Sequence, residues 1–141
     1  MTKPRHMRAL MAAIIAVLMG SFLGAPSASA NAMTCYNYTT TGRVCHQVYG
    51  QGNTITSQVA TFGGTLTFSG PTWCAWSLDF VYIDSAGKVW YTDRDPSTHG
   101  CDNGGTRHRA TGWAKTGLAC AYLYADSRRT YVSRACVKIT P

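Results

Sequence analysis

Histidine and arginine gather in one polar stretch of the chain. Residues 94–109 hold His99, Arg107, His108 and Arg109, with Asp93, Asp95 and Asp102 in or beside them. Two imidazoles next to a cation could cleave RNA, one accepting the 2′-hydroxyl proton while the other protonates the leaving oxygen. That chemistry needs a positioned pair, and spacing does not supply position, so solvated loop residues are the plainer reading of His99 and His108. The three aspartates could instead ligate calcium. Asp93 and Asp95 fit the first two places of an EF-hand loop, but Ser97 follows and the chain has no glutamate to close the site. Asp95-Pro96 and Asp102-Asn103-Gly104 form good turns without an ion. No C-x-x-C spacing accompanies the scattered histidines, so neither zinc nor any other cofactor is expected. No G-x-S-x-G elbow is present for a serine hydrolase.

The cysteines are more informative. Residues 1–30 carry Lys3, Arg5 and Arg8, then an apolar run, then Ala28-Ser29-Ala30. This is the layout of a signal peptide cut after Ala30, leaving one domain over residues 31–141. Gly20, Ser21 and Gly24 interrupt the apolar run and no basic stop-transfer cluster follows, so no membrane anchor is expected after processing. Cys35, Cys45, Cys74, Cys101, Cys120 and Cys136 all lie beyond the cut. An even count in an exported chain reads as three disulfides in a secreted, extracellular protein.

The leader holds three of the 13 basic residues, so ten remain against six acids, a net charge of +4. So mild an excess mostly maintains solubility and gives little support to nucleic acid as a partner. Tyrosine and tryptophan are the remaining chemistry. Their rings bury large areas with little loss of freedom and also stack on sugars, so both an extracellular protein and a carbohydrate or cell-wall polymer are conceivable partners.

The elements that must carry these groups are strands. All six acids are aspartate, and Thr, Val, Tyr, Trp and Phe dominate the segments between Gly, Asn, Asp and Pro clusters. Strands are expected over 43–49, 54–62, 65–69, 73–84, 88–93, 112–115, 118–125 and 130–140. Residues 94–109 read as a long surface loop. Seven or eight short strands with three disulfides indicate an all-β, immunoglobulin-like sandwich. Gly63-Gly64 reads as a two-residue hairpin turn, and residues 84–88 as a type I turn closed by a left-handed Gly87. The apolar 73–93 hairpin is expected to lie centrally.

A third hairpin, turning near Arg128, fixes a register. Centring the turn there sets position i opposite 256 − i, so Cys120 faces Cys136 and a cross-strand disulfide can form. Ala119, Ala121, Leu123, Ala135, Val137 and Ile139 then share a core face. Tyr122, Tyr124, Val132, Arg134 and Lys138 share the other, and Tyr122, Tyr124, Arg134 and Lys138 form the candidate binding patch. For the other four cysteines three pairings are open, and sequential pairing is preferred because each bridge closes a local loop.

The segment G-L-A-C-A-Y-L-Y at 117–124, followed by R-A-C-V-K-I at 134–139, resembles the end of many small exported proteins of streptomycete-type actinobacteria. The resemblance implies a secreted, cysteine-linked terminal hairpin, in a group that includes proteinaceous enzyme inhibitors and adaptor subunits of toxin particles. The W-R-Y tripeptide of the small β-sheet amylase inhibitors is absent. A non-enzymatic module that binds another extracellular protein is therefore the leading expectation. A small ribonuclease-type toxin and a carbohydrate-binding module are the alternatives.

Overall fold

The computed structural model describes residues 31–65 and 69–141. The leader, and most of the strand expected over 65–69, lie outside them. Among the described residues ten strands form in chain order: β1 (Ala32–Asn37), β2 (Gly42–Gln51), β3 (Thr54–Gly64), β4 (Trp73–Cys74), β5 (Ser77–Asp84), β6 (Val89–Asp93), β7 (Cys101–Asp102), β8 (Gly105–Ala114), β9 (Gly117–Ala125) and β10 (Thr130–Ile139). They pair into two four-stranded antiparallel sheets, ordered β1-β2-β3-β8 and β10-β9-β5-β6, with a two-stranded β4-β7 sheet beside them. Among the described residues no helix is long and apolar enough to cross a membrane.

Alternation along each strand builds a sandwich core. Val44, Val48, Ile55 and Phe62 of the first sheet meet Leu78, Phe80, Leu123 and Val137 of the second in a single buried cluster. Alanine at 119 and 121 makes room beside the large rings of Tyr82 and Phe80, their neighbours in register. Burying Leu78, Phe80 or Leu123 stabilises the fold by roughly 1.5–3 kcal/mol each.

Three disulfides close the molecule, Cys35–Cys45, Cys74–Cys101 and Cys120–Cys136. The preferred sequential pairing holds because each pair is also a directly opposed cross-strand pair. The 84–88 turn forms as expected, with Gly87 at φ 82° and Asp84 accepting from the Ala86 and Lys88 amides at 3.0 and 2.9 Å.

Several expectations are corrected. Gly63 and Gly64 are not a hairpin turn: both lie inside β3, opposite Arg43 and Gly42. Their backbone leaves no room for a side chain on the neighbouring Gly70, where a Cβ would lie 2.8 Å from the Gly63 carbonyl carbon. The strand expected over 73–84 is two strands, broken where Ala75 takes φ 46°. Within the 73–93 hairpin only β5 is central. β6 is an edge strand, and its Val89 is 50% exposed. The 94–109 loop is shorter than expected, since β8 begins at Gly105 and takes in Arg107, His108 and Arg109.

Candidate functional site

The expected β9–β10 register holds from Ser133↔Leu123 to Ile139↔Gly117, then shifts between Tyr131 and Ser133. Val132 is the extra residue of this bulge, and the shift re-aims a side chain. On the unbroken register Tyr131 would oppose Ala125 on the core face; with the bulge it opposes Tyr124 and turns outward. Three tyrosines therefore gather on the outer face of the second sheet. Ring centroids are 6.2 Å apart for Tyr122–Tyr124, 5.9 Å for Tyr122–Tyr131 and 6.0 Å for Tyr124–Tyr131.

Arg134 is fixed to this triad. Its Nη1 donates to the Tyr122 hydroxyl at 2.7 Å, and its guanidinium carbon lies 5.6 Å from the centre of the same ring. The bond to Tyr122 raises the Arg134 pKa, keeping it cationic. Burial raises the Tyr124 and Tyr131 hydroxyls above 10, so both stay neutral donors at physiological pH. Tyr122, Tyr124 and Arg134 are thus brought together as expected. Lys138 is not with them. It stands four residues further along β10, roughly 13 Å at strand rise, opposite Leu118 and beside a separate depression that also involves Asp84 and Thr116.

Next to the triad lies a shallow pocket of about 350 Å³ floored by Asp79 and Val81 and rimmed by Arg94, Arg128, Tyr122 and Tyr124. Asp79 is buried and opposes Tyr122 in register. Its carboxylate accepts from Arg128 Nε and Nη2, both at 3.1 Å, and from the Asp95 amide at 2.9 Å. Arg128 also donates to the Asp95 carbonyl, and the Asp79 hydrogen bond raises its pKa. Arg128 belongs to a turn in which Asp126, Ser127 and Arg128 all take positive φ, between 52° and 68°. Amides 126 and 127 donate to the Cys74 and Ala75 carbonyls at 3.0 Å, docking the turn on the end of β4. The acid in the middle of β5 therefore holds the hairpin that displays the tyrosines.

The polar stretch takes a different form. His108 is exposed on β8, opposite Val59. His99 stacks on Trp76 at 3.8 Å, and its Nε2 lies 3.0 Å from Asp95 Oδ2. None of the hydrogen bonds, ion pairs or ring contacts of the described residues joins the two histidines. Arg107 points inward, donating to the Leu78, Asp93 and Arg94 carbonyls and to Asp93 Oδ1 at 2.8–3.2 Å. The three aspartates accept from separate donors: Asp93 from Arg107 and Arg109, Asp95 from Leu78, Ser97 and His99, Asp102 from Trp76 Nε1. Among the described residues no group of three His, Cys, Asp or Glu side chains could hold a metal ion.

Two contributors to the patch escape sequence reasoning. Tyr131 depends on the Val132 bulge, which no pattern of residues along the strand announces. Asp79 had a clearer signal, a lone acid within an apolar strand, which calls for a buried cation. No protein-family model matches the chain, and no curated protein or solved structure is significantly similar to it.

Proposed function

We propose that the chain is an exported, non-enzymatic module that binds another extracellular protein through Tyr122, Tyr124, Tyr131 and Arg134. The observation that carries this reading is the mutual packing of three outward tyrosines with an arginine already hydrogen-bonded to one of them. Tyrosine and arginine dominate protein-recognition hot spots, and rings held in place before contact lose little freedom on binding. Three disulfides suit an oxidising compartment, in keeping with release from the cell. An immunoglobulin-like designation draws support from β10-β9-β5-β6, which follows the order of a GFCC′ sheet. The other sheet departs from that plan by carrying an additional strand, β1, outside β2.

Affinity capture from culture supernatant tests the reading. The wild-type protein is expected to retain one stoichiometric protein, and a Tyr122→Ala, Tyr124→Ala double variant to bind it at least ~30-fold more weakly, about 2 kcal/mol. Retention of the same protein by both would overturn the assignment of the face, and retention on chitin, cellulose or peptidoglycan instead would favour a sugar reader. N-terminal sequencing of the released protein is expected to begin at Asn31.

A second reading keeps one specific observation, the pairing of His99 with the buried Asp95 carboxylate. If this chain cleaves RNA, a His99→Ala variant loses the activity, and cleavage that survives that change dismisses the ribonuclease reading.

A further inference from the structure

We infer that the seam between β1 and β10 accepts an acidic, extended segment of a partner protein as a fifth strand of the β10-β9-β5-β6 sheet. The inference rests on the reading of the chain as a protein-binding module and says how the partner is held.

Between the two strands runs a cleft of about 700 Å³, lined along β10 by six successive residues, 131–136. A groove that approached the face of a strand would meet every second residue; one lined by an unbroken run follows the strand's edge, where main-chain groups point. β10 pairs with β9 alone, so its outer edge has no ladder partner among the described residues. The other wall is the inner face of β1. Tyr36 and Thr34 oppose Val44 and His46 in register, and those two are fully buried. Tyr36 is 61% exposed nevertheless. Thr34 and Tyr36 line the cleft, so the outer edge of β10 faces side chains across it and not a paired strand. Tyr131, 53% exposed, stands at the mouth and joins the cleft to the tyrosine triad.

Charge selects the occupant. Among the described residues no acid lines the cleft, and β1 and β10 contain none, while Arg134 lies in it and Lys138 further along the same edge. Antiparallel pairing with β10 of a second copy, centred on Cys136, would set Arg134 against Lys138, which is destabilising. A strand carrying carboxylates is complementary, and main-chain ladder bonds would supply affinity in the manner of strand addition.

The probe is a fluorescein-labelled ten-residue peptide of alternating Thr and Glu, read by fluorescence anisotropy on the oxidised protein. Saturable binding is expected, weakened by about tenfold or more in a Thr-Lys peptide and in the Thr-Glu peptide methylated on every backbone nitrogen. Amide hydrogen exchange along residues 133–139 is expected to slow in the complex, and Tyr36→Ala to weaken it. Absence of saturable Thr-Glu binding, or equal binding of the methylated peptide, would sink strand addition. A natural partner lost in the Tyr122→Ala, Tyr124→Ala variant but held equally by Tyr36→Ala would leave the proposed function standing and remove this inference alone.

Discussion

Arg107→Ala is expected to lower the unfolding free energy by roughly 3–5 kcal/mol, the range for removing one partner from a buried, hydrogen-bonded ion pair. Arg107 sits on β8 of the first sheet with only 10% of its side chain exposed, and reaches across the sandwich to the second. Its Nη1 donates to the Leu78 and Asp93 carbonyls at 2.8 and 2.9 Å, and its Nη2 to Asp93 Oδ1 and the Arg94 carbonyl at 3.2 and 3.1 Å. The guanidinium also covers the Phe80 ring at 4.9 Å. Alanine leaves those acceptors in a site too dry to rehydrate them fully. Lysine keeps the charge but not the fork, so Arg107→Lys is expected to recover less than half of the loss. Arg109 provides the control. It binds the same Asp93 at 2.8 Å with 53% of its side chain exposed, and Arg109→Ala is expected to cost less than about 1 kcal/mol. Urea denaturation at fixed pH measures both variants, and equal losses would contradict the clamp.

This residue also shows why β8 was hard to read. A strand normally announces itself by apolar side chains at every second position. In the run Gly-Thr-Arg-His-Arg, the inward place that a valine would take is held by Arg107, because the edges of β5 and β6 present carbonyls there instead of apolar surface. β1 was missed for a related reason: it is an edge strand whose side chains are nearly all exposed, so burial imposes no pattern on Ala-Met-Thr-Cys-Tyr-Asn. Its place follows only from the bridge between Cys35 and Cys45. Where local chemistry is decisive the reading succeeds. Gly87 can adopt a left-handed φ, and two opposed cysteines fix the register of their hairpin as far as the Val132 bulge.

The candidate face divides along the same line. Tyr122, Tyr124 and Arg134 follow from alternation once Cys120 faces Cys136, but Lys138 shares only their face, not their neighbourhood. Tyr131 needs a bulge, and Asp79 needs a cation 49 residues away in sequence. Both are non-local facts. The tyrosine face depends on this hidden support, since Asp79 fixes Arg128 and Arg128 lies in the turn between the strands that present the rings.

Acid is expected to weaken the protein through a group that plays no part in that face. His46 is fully buried between the sheets, with Nδ1 3.0 Å from the Ala119 carbonyl and Nε2 3.0 Å from the Gln58 amide oxygen. The Gln58 amide meets the Tyr82 hydroxyl on its other side, and burial lifts that phenol to about 12. Burial also lowers the His46 pKa from 6.5 to about 4, while the bond to the Ala119 carbonyl pulls the other way. The ring is therefore neutral at pH 7, donating from Nδ1 to Ala119 and accepting at Nε2. An amide oxygen cannot donate to Nε2. Turning the Gln58 amide over, so that its –NH2 donates to the ring and its carbonyl accepts from the Tyr82 hydroxyl, satisfies every member of the chain. Between pH 6.5 and 4 the unfolded chain binds a proton at His46 that the folded chain refuses. Stability from this group is thus complete above pH 6.5 and falls as the pH drops to about 4, by about 3 kcal/mol in all. Urea midpoints at pH 7, 5.5 and 4 for the wild type and His46→Gln separate this effect from the carboxylates, which titrate in both. The wild type is expected to lose up to ~1.4 kcal/mol per pH unit more steeply than the variant across the window. The comparison is of slopes, so it survives any general loss of stability in the variant, and parallel pH profiles would show that His46 takes up its proton without opening the core.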